Sequence, residues 1–270
     1  VTIQTPTARQ MLNKVPEVTV YFWIIKILAT TVGETAADYL NMHLGLGLAD
    51  TTLIMAGLFT AVLAWQFCRR GYVPWVYWLT VTLISVVGTL ITDNLTDNLG
   101  VPLQTSTAAF TVALVIVFAA WYASERTLSI HSIVTTRREA FYWLAILVTF
   151  ALGTAAGDLM GEQLHLGYGT SALIVGTVIA AIFTAHKVLG LNAVLAFWLA
   201  YILTRPLGAS LGDLLAQPSD SGGLGFGTTW TTAVFLTAIV ALVAYLTVSR
   251  RDVIGAPEGT DAHALLARAE

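Results

Sequence analysis

Residues 23–38 read WIIKILATTVGETAAD, and the frame of this stretch returns three more times. The four copies are Trp23-x9-Gly33-x4-Asp38, Trp78-x9-Gly88-x4-Asp93, Trp143-x9-Gly153-x4-Asp158 and Trp198-x9-Gly208-x4-Asp213. Successive tryptophans stand 55, 65 and 55 residues apart, so the chain also reads as two halves offset by 120. Self-similarity at such a period marks a repeat architecture in which each unit supplies one supersecondary element.

The residues around the frame say what surrounds it. Hydrophobic residues make up 56% of the 270 and charged residues 11%, less than half the share of a soluble domain. So few charges cannot cover a water-facing surface, and a chain this apolar is not disordered. Eight apolar segments run over 18–41, 51–68, 74–97, 106–124, 140–161, 170–187, 190–215 and 228–249. Each is close to the ~20 residues that cross a bilayer as a helix, and none alternates in period two as a barrel strand would. The fold class expected is an all-α membrane protein, eight transmembrane helices arranged as four two-helix repeats. One cysteine, Cys68, excludes a disulfide framework and a thiolate zinc site. The first fifteen residues are polar and lack a signal-peptide core; the chain opens on Val1, so a few residues are expected to precede it.

Basic residues predict the orientation. Arg9, Lys14, Arg69, Arg70, Arg126, Arg137, Arg138, Lys187, Arg250, Arg251 and Arg268 all lie in the termini or after even-numbered spans. The connections after odd-numbered spans carry no Lys or Arg. With the positive side inside, both termini are cytoplasmic, as an even span count also requires. The domain plan is a cytoplasmic segment over 1–15, one membrane domain over 16–250 and a cytoplasmic tail over 251–270. Its repeats cover about 16–70, 71–125, 136–189 and 190–250. Every unit enters the membrane in the same direction, so the repeats are parallel, with pseudo-fourfold or nested pseudo-twofold symmetry. Hydroxyl-bearing runs at Asp50–Thr52, Thr105–Thr107, Thr170–Ser171 and Thr228–Thr229 are expected to cap the even helices.

With these residues in view, the chain resembles bacterial multi-pass membrane proteins built from four tandem two-helix repeats of unknown function, an uncharacterised membrane-anchored family. The resemblance covers about residues 14–250 and rests on Trp23, Trp78, Trp143 and Trp198. Segments such as Gly33–Asp38 and Leu90–Asn98 carry it as well. It implies the architecture and the bacterial inner membrane, and supplies no activity.

Function has to come from polar residues inside the spans. Side chains four apart share a helix face. Lys26, Thr30, Glu34 and Asp38 form one stripe, and Ser85, Thr89, Asp93 and Asp97 the equivalent one. The fifth span adds Thr154, Asp158 and Glu162, and the seventh adds Tyr201, Arg205, Asp213 and Gln217. Intramembrane charges are costly and normally face a cavity or a partner. Six acids within the spans (Glu34, Asp38, Asp93, Asp97, Asp158 and Asp213) against Lys26 and Arg205 cannot all stay ionised, so protons or a cation must neutralise the excess. Hard oxygen donors without thiols favour Mn²⁺, Mg²⁺ or Ca²⁺.

Asp38, Asp93, Asp158 and Asp213 are thus the candidate metal ligands, with Glu34 and Asp97 assisting and Lys26 and Arg205 balancing charge or gating. Lys26 snorkelling to the inner surface is the plainer alternative. Gly33, Gly88, Gly153 and Gly208 are expected at close helix contacts, or at a helix break. The tryptophans, near basic residues, read as interfacial anchors. His43 and His165 are expected to be ordinary loop histidines, and Met42 and Met160 packing residues.

The leading expectation is a secondary transporter of a divalent metal such as Mn²⁺ or Mg²⁺, or a proton-coupled exchanger. A proton-coupled carrier or channel for a small organic solute, and a non-transporting sensor or scaffold, are the alternatives. An enzyme is not expected: the glycine that an intramembrane aspartyl protease would need two residues before Gly157 and Gly212 is Ala155 and Ser210. No cofactor is assigned beyond a bound divalent cation. Partners are the lipid bilayer and a cation or small-molecule substrate, with no nucleic acid; a homo-oligomer is compatible.

Overall fold

The computed structural model describes residues 13–43 and 45–253; among these, the side chains of Met42, His43 and Glu162 are not described. Arg9, Arg268, most of the 1–15 segment and the tail beyond residue 253 lie outside the described residues. Eight long helices follow one another: α1 (Val20–Asp38), α2 (Leu48–Cys68), α3 (Pro74–Asp93), α4 (Leu103–Glu125), α5 (Thr136–Asp158), α6 (Tyr168–Val188), α7 (Ala193–Ala216) and α8 (Thr228–Ser249). There is no strand among the described residues. All eight helices are long and apolar enough to cross a membrane, so the protein is a multi-pass membrane protein.

The odd helices form an inner ring in the order α1, α3, α5, α7, with α7 closing on α1. Four repeated glycines set its spacing. A Cβ on Gly33 would run into Ser85, on Gly88 into Phe150, on Gly153 into Arg205 and on Gly208 into Thr30. Each of those partners stands three residues before the glycine of its own repeat. One contact is therefore used four times around a closed ring, which is pseudo-fourfold symmetry seen at the level of atoms. The helices run unbroken through these glycines, so the close-packing expectation holds and the helix-break alternative falls.

Each even helix leaves its own repeat and packs on the odd helix of the next: α2 on α3, α4 on α5, α6 on α7 and α8 on α1. The two helices of a repeat are thus neighbours in sequence but pack far less on each other than on the adjoining repeats. The even helices are mostly exposed and face outward, where an apolar surface suits lipid. Glycines make the turn between them. Gly47, Gly167 and Gly227 precede α2, α6 and α8 with φ between 74° and 79° and ψ near 157°, a region open to glycine alone. These glycines also correct the capping expectation. The helices start at or before the hydroxyl runs, and none of the four has a side-chain cap.

The opposite end of the ring carries the tryptophans and is closed by rings. The residue before each tryptophan is aromatic, and it packs on the tryptophan of the next repeat. Phe22 meets Trp78 at 5.5 Å between centroids, Tyr77 meets Trp143 at 5.6 Å, Tyr142 meets Trp198 at 6.3 Å and Phe197 meets Trp23 at 5.7 Å. Trp78, Trp143 and Trp198 are buried, which overturns the interfacial-anchor expectation for them: their ring faces are satisfied inside the bundle. Trp23 is half-buried, bordering an apolar cavity of about 570 Å³ between α6, α7 and α1.

Below this girdle, Asn13–Pro16 are buried across the bundle end. The Lys14 ammonium donates to Glu139 at 2.6 Å and to the Phe67 carbonyl at 2.9 Å, so Lys14 is an internal ion pair rather than a solvated topology charge. Asp252 is buried against the Tyr72 hydroxyl at 2.5 Å. Burial pushes the Asp252 carboxyl above the ordinary range, the Tyr72 hydrogen bond opposing it. The ten extra residues between the halves cross this end too, burying Ile130 and Ile133 and giving the Leu128 carbonyl to Trp198 Nε1 at 2.9 Å.

Gly208→Ala should destabilise the protein by about 1–3 kcal/mol, since a methyl group there must displace a neighbouring helix. Gly57→Ala, with nothing within 4 Å of the added Cβ, should leave the unfolding midpoint unchanged. Thermal unfolding in detergent compares the two; equal midpoints would remove the glycine contacts as the organising feature.

Candidate functional site

Because the odd helices keep one register, residues at equal offsets from the tryptophans fall into layers about 6 Å apart, four residues of helical rise. Seven residues along stand Thr30, Ser85, Phe150 and Arg205. Eleven along stand Glu34, Thr89, Thr154 and Ala209, and fifteen along the four aspartates. All of the first two layers is buried, while Asp38, Asp93 and Asp158 are half-buried. The polar layers are therefore least buried at the end opposite the tryptophans.

Arg205 occupies the centre. It is wholly buried, and every other odd helix gives it an acceptor. Nη1 donates to the Thr30 carbonyl of α1 at 3.1 Å. Nη2, with two N–H groups to donate, has three acceptors within reach: Glu34 Oε2 of α1 at 3.0 Å, the Thr154 hydroxyl of α5 at 2.7 Å and the Thr89 hydroxyl of α3. Phe150 lies with its ring centroid 5.6 Å from the guanidinium carbon. Ala209 is the one residue of its layer that gives Arg205 no acceptor, and its small side chain sits on the helix from which Arg205 itself projects. Thr30 also donates to the Thr204 carbonyl at 3.2 Å, where the helix runs into Pro206.

Glu34 links Arg205 to the acids. Carboxylate oxygens of Glu34, Asp158 and Asp213 all lie within 4.8 Å of one another. Asp158 closes α5 where the helix widens into a π-turn over Leu159–Gln163, and similar turns follow Asp38 and Asp93. Such turns are frequent at functional sites. α7 has none, and Asp213 is buried one turn before its end. So the four aspartates are not equivalent. Asp38 and Asp93 stand outside the set of three, although Asp93 interacts electrostatically with Glu34, Asp38 and Asp97. Asp97 is exposed on its π-turn, accepting from the Thr96 hydroxyl at 3.1 Å, and belongs to the mouth rather than the centre.

Lys26 does not meet a carboxylate. Its ammonium lies 4.2 Å from the Phe150 ring centroid and 4.3 Å from that of Tyr201, wholly buried and without a hydrogen-bond acceptor. Snorkelling is thereby corrected: the side chain is enclosed between two rings instead of reaching the surface. His165 is exposed in the connection before α6, away from the acids. Two contributors escaped the sequence reading. Phe150 lies against both cations, and the aromatic residue before each tryptophan packs on the next repeat's tryptophan; the recurring Phe22, Tyr77, Tyr142 and Phe197 column was the signal for the latter.

A ring of parallel two-helix repeats around a buried arginine–carboxylate centre defines a polytopic membrane protein with an internal polar site. A sequence-family model described as a Repeat of Unknown Function (DUF347) matches residues 21–72, 76–127, 141–190 and 196–252. The chain belongs to that family. No curated protein and no solved structure matches it.

Arg205→Met should cost about 3–5 kcal/mol of stability, because it strands the Glu34 carboxylate in the interior. Glu34→Gln on that background should recover part of the loss, giving a coupling energy in a double-mutant cycle by thermal unfolding. Strict additivity would show that the pair does not organise the centre.

Proposed function

We propose that the protein is a secondary transporter of a divalent cation, Mn²⁺ or Mg²⁺ by donor chemistry, exchanged for protons. The observation that carries this reading is the convergence of Glu34, Asp158 and Asp213 beside Arg205. Three carboxylates and one guanidinium leave two negative charges when all are ionised, which one divalent cation or two protons would neutralise. Oxygens within 4.8 Å of one another need only a small contraction to share an ion at about 2.0–2.6 Å from each. All the donors are hard oxygens, with no thiol near them.

Arg205 serves as a tethered counter-cation. With no ion bound it holds Glu34 and offsets the like charges. When a divalent ion takes the carboxylates, the Thr89 and Thr154 hydroxyls and the Thr30 carbonyl keep the guanidinium satisfied. Orientation follows the positive-inside rule: Arg69, Arg70, Arg126, Arg137, Arg138, Arg250 and Arg251 lie at the tryptophan end, making that end cytoplasmic in a bacterial inner membrane. The half-buried aspartates then open outward, and the aromatic girdle is the closed inner side.

In proteoliposomes, Asp158→Asn and Asp213→Asn should each lower Mn²⁺ flux at least tenfold, whereas Asp220→Asn in the exposed connection before α8 should leave it unchanged. Equal flux in all three variants would contradict the mechanism. Movement of a small organic amine with no metal flux would overturn the choice of substrate.

A further inference from the structure

The two intramembrane cations are held differently. Arg205 has acceptors from three helices, and a guanidinium does not release its proton in a protein. Lys26 has only ring faces around its ammonium, although three N–H donors are buried with it. Stripping those donors from water without an acceptor costs more than two ring faces return. Arg205 adds to the cost, facing the same Phe150 ring with a like charge. An amine can escape by losing a proton.

We infer that Lys26 is a proton-exchanging residue of the transport cycle, ammonium when the carboxylate site is empty and neutral amine when a divalent cation fills it. This rests on the cation-transport reading. With its three carboxylates ionised, the empty site carries two net negative charges, the nearest carboxylate being Glu34 about 12 Å further along α1, eight residues of helical rise, and these favour the ammonium. Cation binding cancels them, and the net charge that favoured the ammonium is gone. The N–H bond then breaks, the nitrogen keeps the electron pair and the proton passes to water. Reprotonation accompanies release of the ion.

The groups that face Lys26 favour this assignment. From α7 come Arg205 and Tyr201, whose hydroxyl is buried without a partner. From α3 and α5 come Tyr77 and Tyr142, hydrogen-bonded to each other at 2.5 Å one turn toward the tryptophan end. The acids of α3 and α5 within the ring, Asp93 and Asp158, close the far ends of their helices, and Glu139 lies at the tryptophan end with Lys14. α8 carries no charged residue, and its Tyr245 packs on Tyr21 near the end. Among the described residues no carboxylate is placed to hold Lys26 permanently charged.

The chain has only Lys14, Lys26 and Lys187, so ¹⁵Nζ-lysine labelling of the full chain in lipid nanodiscs gives three resonances. Saturating Mg²⁺ at fixed neutral pH should move the Lys26 resonance from the ammonium to the amine position. Calorimetric titration of Mg²⁺ in two buffers of different ionisation enthalpy counts the protons released. Lys26→Met, an apolar chain of similar length for the same aromatic slot, should bind Mg²⁺ within about threefold of wild type and release one proton fewer. Lys26→Arg, permanently charged, should weaken Mg²⁺ binding at least tenfold. A Lys26 ammonium that persists under saturating Mg²⁺, or a Lys26→Met protein releasing as many protons as wild type, overturns the inference. Wild-type protein that binds no Mg²⁺ overturns the cation reading beneath it, a result visible without any variant.

Discussion

A permanent positive charge at the centre of a membrane domain must be surrounded by acceptors, and the arrangement around Arg205 follows from that requirement. No single helix can supply them. Thr30 and Glu34 come from α1, Thr89 from α3 and Thr154 from α5, so the two terminal nitrogens of the guanidinium find their acceptors only when the ring is closed. The glycines make that closure geometrically feasible, since Gly153 leaves the space through which the Arg205 side chain passes. Charge at the centre and close approach at the walls are two aspects of one packing solution.

Symmetry builds the ring, and departures from symmetry make the site. Glycine contacts and aromatic pairs repeat four times, while the seventh offset from each tryptophan holds Thr30, Ser85, Phe150 and Arg205, four different chemistries. The eleventh holds a glutamate, two threonines and an alanine. A scaffold of equal units thus presents one guanidinium, one buried glutamate and two nearby aspartates off the axis. Phe150, between Arg205 and Lys26, divides this centre from the aromatic floor.

Much of this was legible in the chain. Apolar runs and the recurring Trp–Gly–Asp frame carried the class of fold and the eight helices, because lipid leaves helices as nearly the only form for such runs. The stripe of Lys26, Thr30 and Glu34 lies on the inner face, and Arg205, readable only as a charge-balancing or gating residue, sits at the centre. Helix packing was not legible: hydrophobic periodicity says which face is buried and not which neighbour buries it, so nothing in the chain announces that α2 of the first repeat packs on α3 of the second. The tryptophans misled because an aromatic residue near basic residues has the same signature at an interface as in a girdle. Nor could equal spacing reveal that Asp158 and Asp213 converge with Glu34 while Asp97 stays at the mouth. The π-turns do not mark the difference either, since one follows Asp158 as well as Asp38 and Asp93.

The central claim is that Glu34, Asp158 and Asp213 form one intramembrane cation site. Anomalous X-ray scattering from crystals equilibrated with Mn²⁺ tests it most directly. The expected result is a strong peak within the ring, about 2.0–2.6 Å from an oxygen of each of these carboxylates. Peaks confined to exposed acids such as Asp50 and Asp220, with none among the three at saturating Mn²⁺, would contradict it.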